Sequence, residues 1–212
     1  MIRSPRTWVY VDGFNLYYGC LRNSSFRWLD LSLFCRNLLP RNRVERVKYF
    51  TAMVSGRPND PGKPARQEQY LRALRTLPDV EVYKGTFRTG IRRMRLASPP
   101  PSGPRTVDVI YVEEKGSDVN LAVQLVNDAH RSRFEVGVII SNDADLAGAA
   151  RIVREELGLV VGVVNPHPGR ASMELMKHAS FMKAVRPSTL RRSQFAPELN
   201  DSGGRFSKPP QW

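Results

Sequence analysis

Residues 139–146, Ile139-Ile140-Ser141-Asn142-Asp143-Ala144-Asp145-Leu146, decide how this chain is read. An apolar run ends in two carboxylates one residue apart, and a helix-forming run from Ala147 to Leu157 follows at once. The acids therefore stand where a strand hands over to a helix. In open α/β sheets the crevice beyond the carboxyl ends of the strands is where ligands bind, so this is a position for chemistry.

The same alternation extends outward in both directions. Phe134 to Ile140 is a near-continuous apolar strand of the kind buried on both faces of a parallel sheet. Downstream, Gly158 ends the helix, Leu159 to Val164 is another buried strand, Asn165 to Arg170 a loop, Ala171 to Ala179 a helix and Phe181 to Val185 a last short strand. At the other end, Thr7 to Val11 is β-rich and runs into Asp12-Gly13-Phe14-Asn15, with a helix over Leu16 to Leu21. Asp30 is placed to cap a helix over Leu31 to Leu39, closed by Pro40. Val44 to Val54 reads as a strand, Ser55 to Gly62 as a loop, Lys63 to Leu77 as a helix stopped by Pro78, and Val80 to Phe87 as a strand. Thr106 to Val112 is strand-like, and Glu113 to Asp118 leads into a helix over Val119 to His130. Repeated βα units of this kind require an α/β fold with a mainly parallel sheet and helices on both faces.

Two stretches break the pattern. From Lys84 to Arg105 the chain carries Lys84, Arg88, Arg92, Arg93, Arg95 and Arg105 with no acid among them, and the run Ser98 to Pro104 is too rich in proline for regular structure. This predicts an exposed, mobile, basic excursion. Beyond Arg186 lies a basic tail, 187–212, with little core of its own and with Phe195, Phe206 and Trp212 as its candidate docking residues. The domain plan is thus one unit over 1–186, with the excursion at 84–105, followed by that tail.

Composition narrows the partner. In 212 residues, enough for one α/β domain, 33 Lys and Arg face 20 Asp and Glu, for a formal charge of +13. Such a field points to a polyanion, with nucleic acid first; simple solubility is the plainer explanation of the same excess. The two cysteines, Cys20 and Cys35, cannot build a disulfide framework or a Cys metal site. No apolar run is long enough to span a bilayer, so the expectation is a cytoplasmic protein with no membrane partner. Oligomeric state is left open, a homo-oligomer included.

Three places carry an acid at a strand end or helix start: Asp12, Asp118, and the pair Asp143 and Asp145. Singly, each has a structural explanation, because Asp12 can form a turn, Asp118 can sit at the positive end of a helix, and Asp143 or Asp145 can cap the next one. On one sheet edge, together, they could not all stay ionised without a cation. Hard oxygen ligands of this type suit Mg²⁺ or Mn²⁺, which bind through few carboxylates and keep waters. Arg88, Arg92, Arg93 and Arg95, interleaved with Phe87, Ile91 and Met94, are the candidate backbone contacts to nucleic acid. Lys115 reads equally well as a phosphate contact or as a partner for Glu113, Glu114 or Asp118. His130, His167 and His178 form no metal-ligand pattern.

Three segments then match a family. Val9-Tyr10-Val11-Asp12-Gly13-Phe14-Asn15-Leu16, Glu114-Lys115-Gly116-Ser117-Asp118-Val119-Asn120-Leu121-Ala122 and Ser141-Asn142-Asp143-Ala144-Asp145-Leu146 resemble, in order, the signature segments of NYN domains, PIN-like ribonuclease relatives that include the LabA-like proteins. The similarity runs from about Thr7 to Val185. It implies a PIN-like Rossmannoid three-layer sandwich and Mg²⁺- or Mn²⁺-dependent hydrolysis of RNA by metal-activated water, in single-stranded regions. It also implies Asp12, Asp118 and Asp143 as metal-binding acids, Asp145 as an outer acid or second ligand, and Asn15 and Ser141 as orienting residues. Asn142 and Ala144 replace the small residues usual around the first acid of the third segment, and Leu146 replaces its aromatic. Single-stranded DNA stays open as a substrate, since water attack needs no 2′-hydroxyl. A weakly cleaving RNA-binding adaptor on the same fold is the competing function. An aspartyl phosphatase would need a second acid where Phe14 stands, and a dinucleotide site would need a GxGxxG after the first strand.

Overall fold

The computed structural model describes residues 3–56, 59–169 and 171–212. Met1, Ile2, Arg57 and Pro58 of the loop read over 55–62, and Arg170 at the end of the loop read from Asn165, lie outside the described residues. Seven strands form one sheet: β1 (Arg6–Asp12), β2 (Arg43–Ala52), β3 (Val80–Arg95), β4 (Thr106–Lys115), β5 (Val136–Ile140), β6 (Val160–Asn165) and β7 (Phe181–Ala184). Their order is β4-β3-β2-β1-β5-β6-β7, and every pairing except β3 with β4 is parallel.

From β1 the chain builds outward one way through β2 and β3, then returns to β1's other side and builds through β5, β6 and β7. The reversal falls between β1 and β5, where Val11 lies beside Ile140. In such sheets the crevice at the reversal is the binding position, and Asp12 and Ser141 are the next residues on.

Helices cover both faces, giving three layers. One face packs α1 (Gly13–Leu16), α2 (Leu31–Leu38) and α3 (Lys63–Arg75) over Val9, Val11, Val47 and Val138; the other packs α4 (Ser117–His130), α5 (Ala147–Arg151) and α6 (Met173–Lys177) over Tyr10, Phe50, Ile139 and Val163. Alternate β1 residues thus feed opposite cores, which is why the run from Trp8 to Val11 is unbroken by charge. Asp30 does cap α2, accepting from the Leu33 N–H at 2.8 Å. Among the described residues, no helix is long and apolar enough to cross a membrane.

The excursion expected over 84–105 is regular for much of its length. β3 runs on to Arg95 and pairs antiparallel with β4, from Thr86 beside Lys115 to Arg95 beside Thr106, and only 96–105 lacks regular structure. Polar residues stand on both faces along 86–95, with Thr86, Arg88 and Arg92 on one and Thr89, Arg93 and Arg95 on the other, which suits a two-stranded ribbon exposed to water on both faces. β2 accompanies β3 only to Gly85, so the ribbon projects beyond the sheet. This arm has a consequence for the site. β4 runs antiparallel, yet it ends at the same edge as β1 and β5 because it returns from the arm's tip.

The segment read as a tail packs on the α2–α3 face. It forms α7 (Pro187–Arg191) and the hairpin β8 (Glu198–Asp201) and β9 (Gly204–Ser207), and places Leu190, Phe195 and Phe206 in the larger core. Trp28 Nε1 donates to the Ala196 carbonyl at 2.8 Å, and Arg72 grips Asp201 with two bonds of 2.7 Å. That guanidinium holds the Asp201 carboxyl down at about 2.

Candidate functional site: a carboxylate edge

The site is assembled at the carboxyl ends of β1, β4 and β5. Asp12 ends β1 and caps α1: its Oδ1 accepts from the Asn15 N–H and its Oδ2 from the Ser141 hydroxyl, both at 2.9 Å. Ser141 in turn accepts from the Asp143 N–H at 3.1 Å, and Asp143 Oδ1 accepts from the Asp145 N–H at 3.0 Å. One chain of hydrogen bonds therefore fixes Asp12, Ser141, Asp143 and Asp145. The capping role read for Asp143 is real, and Asp12, read as a turn former, caps α1 as well; carboxylate oxygens have lone pairs left for a further ligand.

Asn15 locks a second connection. Its Oδ1 accepts from the Asn142 N–H at 2.9 Å and lies 3.0 Å from His167 Nε2. A carbonyl oxygen only accepts, so this geometry places a proton on His167 Nε2. Gly13 permits the tight start of α1. A Cβ there would stand 2.6 Å from the Tyr49 ring and 2.7 Å from the Phe50 carbonyl.

Asp118 arrives by another route, in the first turn of α4, after Gly116 makes the handover from β4 with φ at +97°. Side chains with a Cβ are strained in that conformation. The Glu114 carboxylate accepts from the Ser117 N–H at 3.0 Å and lines a shallow pocket with Asp118 and Asp145.

Electrostatics distinguishes Asp12 and Asp118 from ordinary surface carboxylates. Burial raises Asp12, against the bonds from Asn15 and Ser141, and Asp143 raises it further. Asp118 is pushed up to about 6, first by burial, then by Asp12, Asp143, Glu114 and Asp145 in turn. Among the described residues, none of these five acids forms an ion pair with a Lys or Arg. Among the described residues no three His, Cys, Asp or Glu side chains stand close enough for a ready-made metal cage. The donors are nonetheless all hard oxygens under mutual repulsion, which is the chemistry that suits Mg²⁺ or Mn²⁺ held through a few carboxylates and several waters.

Of the predicted basic residues, Lys115 lines the same pocket as Glu114, Asp118 and Asp145, while the arginines lie out on the arm. Lys115 Nζ is 2.6 Å from Glu113, Arg93 is 3.2 Å from Asp108, and the Arg92 guanidinium lies 4.6 Å from the Tyr111 ring centre. Arg88 and Arg95 are exposed on the arm. The counter-acids absent from 84–105 are supplied by β4, across the ribbon. Phe87, at the arm's base, meets Phe14 edge-on at 5.8 Å, joining the arm to the helix that follows Asp12.

Sequence reasoning missed two members of this constellation. Glu114 was visible only as a neighbour of Lys115; its signal is a carboxylate two residues before a glycine that turns the chain into a helix. His167 gave no signal, because only the adjacency of the β1, β5 and β6 ends brings it to Asn15.

Comparison with known proteins agrees with this architecture. A protein of unknown function, VPA0982, from Vibrio parahaemolyticus RIMD 2210633 has a similar fold, with a TM-score of 0.57 at 18% identity over 88% of this chain and 96% of that one. The chain is also 34% identical, over 205 residues, to the 6-hydroxy-3-succinoylpyridine 3-monooxygenase HspA of Pseudomonas putida (strain DSM 28022 / S16). That match covers 84% of this chain and 66% of the relative, so the chain spans just under two thirds of the relative's length. The NYN domain model matches residues 6–184, an interval that begins with β1 and ends with β7 and includes all three acid-bearing segments. On that match the chain belongs to the NYN domain family, within the PIN-like superfamily.

Proposed function

We propose that the protein is a metal-dependent endoribonuclease that hydrolyses phosphodiester bonds in single-stranded RNA. The observation that carries this reading is the uncompensated carboxylate edge, where four acids raise Asp118 at the reversal point of the sheet. Family membership and the charge of +13 support the same substrate class.

Asp12, Asp118 and Asp143 would hold Mg²⁺ or Mn²⁺, with Asp145 and Glu114 outside them. Bound there, the ion supplies an activated water and neutralises charge on the phosphoryl group. Ser141 keeps Asp12 and Asp143 in register, and Asn15 fixes the backbone of Asn142. The arm carries Arg88, Arg92, Arg93 and Arg95 along the strand of the substrate, where each phosphate neutralised adds salt-sensitive affinity.

The test is cleavage of labelled single-stranded RNA and matched DNA by the wild type and Asp143→Asn, each with Mn²⁺, Mg²⁺ or EDTA. Metal-dependent RNA cleavage lost in the variant supports the nuclease. Binding without cleavage, unchanged in the variant, moves the protein to the RNA-binding adaptor.

A second reading rests on the 34% identity to a relative named as a pyridine monooxygenase. It would make the chain an oxygenase of a hydroxypyridine, drawing on dioxygen and an outside reductant. Dioxygen uptake that requires 6-hydroxy-3-succinoylpyridine and a reductant, with no RNA cleavage, would favour it.

A further inference from the structure

Behind the carboxylate edge, between α1, α3 and the C-terminal segment, lies a cavity of about 140 Å³. An engineered cavity of roughly 150 Å³ holds one benzene ring, so this space is of a size for a single planar ring. Its aromatic walls include Tyr17, Tyr18, Tyr49, Tyr70 and Trp212. Tyr70 and Trp212 meet edge-on at 5.7 Å, as do Tyr49 and Tyr70 at 6.3 Å, leaving π-surface for a guest.

The polar part of the wall has a sign. Arg66 is cancelled by Asp60 through two contacts of 2.6 Å, which leaves Arg27 and Lys63. Arg27 Nε is buried and has no hydrogen-bond partner among the described residues, although Nη1 reaches the Gln211 carbonyl at 3.3 Å. Lys63 forms no ion pair among the described residues and is half-buried. A buried guanidinium donor without an acceptor is costly. Nε itself is closed off from the cavity, so an anionic group entering beside Arg27 is held by the charge of the guanidinium.

We infer that this cavity is a binding site for a planar aromatic ring carrying an anionic group, the ring against the tyrosines and Trp212 and the anion on Arg27 and Lys63. The inference stands apart from the nuclease reading, because none of the carboxylates is needed for it. Two sources share the chemistry: a nucleotide of a bound strand, and a free aromatic carboxylate.

The experiment is a titration of the full chain in EDTA, followed by calorimetry and tryptophan fluorescence. The probes are UMP and AMP, pyridine-3-carboxylate, the neutral pyridine-3-carboxamide, and inorganic phosphate. A ring-bearing anion should bind with Kd below about 1 mM, and the neutral ring and bare phosphate about tenfold more weakly. Arg27→Met and Lys63→Met should each weaken the anion about tenfold. Nucleotide binding that single-stranded RNA displaces assigns the site to a strand; binding of the carboxylate alone assigns it to a small molecule. No binding by any ring-bearing anion overturns the inference, and so does binding indifferent to Lys63→Met, a half-buried position whose loss the fold tolerates. Because the titration is metal-free, cleavage can fail while this site stands, and the reverse.

Discussion

Helix α4 carries an acid near each end, and the two are treated in opposite ways. Asp128, in the last turn, is buried but answered: Lys48 Nζ lies 2.5 Å from Oδ2 and the Tyr10 hydroxyl donates to it at 2.8 Å. Gln124 also accepts from Lys48 at 2.8 Å, and the Trp8 and Tyr83 rings lie 5.2 and 5.4 Å from the ammonium. Asp118, in the first turn, faces four acids and forms no ion pair among the described residues. A buried acid with its partner inside the fold is a structural element. An acid cluster lacking one is where the proposed function places a cation from outside, and the same helix displays both arrangements.

The largest expected effect tests the answered end. Lys48→Met leaves Asp128 buried beside one hydroxyl and should cost about 3–5 kcal/mol in urea unfolding. A loss below about 1 kcal/mol would mean the pair is solvated and the contrast false. At the unanswered end, Asp118→Asn should lower RNA cleavage on the order of 10³-fold, about 4 kcal/mol of transition-state stabilisation. Fold retention is checked by far-UV circular dichroism, and full activity in this variant would remove Asp118 from the site.

Metal should narrow the difference between the two ends. At about 100 times its Kd, Mg²⁺ or Mn²⁺ should stabilise the wild type by about 2.7 kcal/mol, read as a rise in Tm. Lys48→Met should show the same rise and Asp143→Asn a smaller one; no rise in the wild type at saturating metal counts against the ligand set.

The smallest effect is in pH. The Asp118 carboxyl is raised from 3.8 to about 6 in the folded protein, so the folded state binds a proton more readily than the unfolded state. Without metal, its repulsion is relieved as pH falls from 8 through about 6, and fully below about 4. Asp118→Asn should therefore exceed the wild type in stability at pH 8 by on the order of 1 kcal/mol, after allowance for solvent screening, and match it near pH 4. An advantage that persists unchanged at pH 4 would mean packing, not charge, is responsible.

Much of this was legible in the sequence. The β1 and β5 runs, the Asp30 cap and the acids at strand ends each follow from local periodicity and residue chemistry, and three-layer packing follows from their alternation. What was not legible depends on lateral neighbours. The arm's regularity rests on a partner strand twenty residues on, and the neutralisation of its arginines rests on Asp108 and Glu113 across the ribbon. The Lys48 pairing was not legible, because nothing in residues 43–52 announces that α4 will lay Asp128 over it. His167 was similarly silent.

The placement of β1 between β2 and β5 also orders events in time. Asp12 and Ser141, joined by one hydrogen bond, lie 129 residues apart in the chain. During synthesis β1 can pair with β2 early, but its other side waits until Val136–Ile140 have been made. Long-range pairings of this kind are also the late steps of folding. A chain that stops before β5 therefore lacks the assembled edge, and Asp12 meets Ser141 only once the central strand has both neighbours.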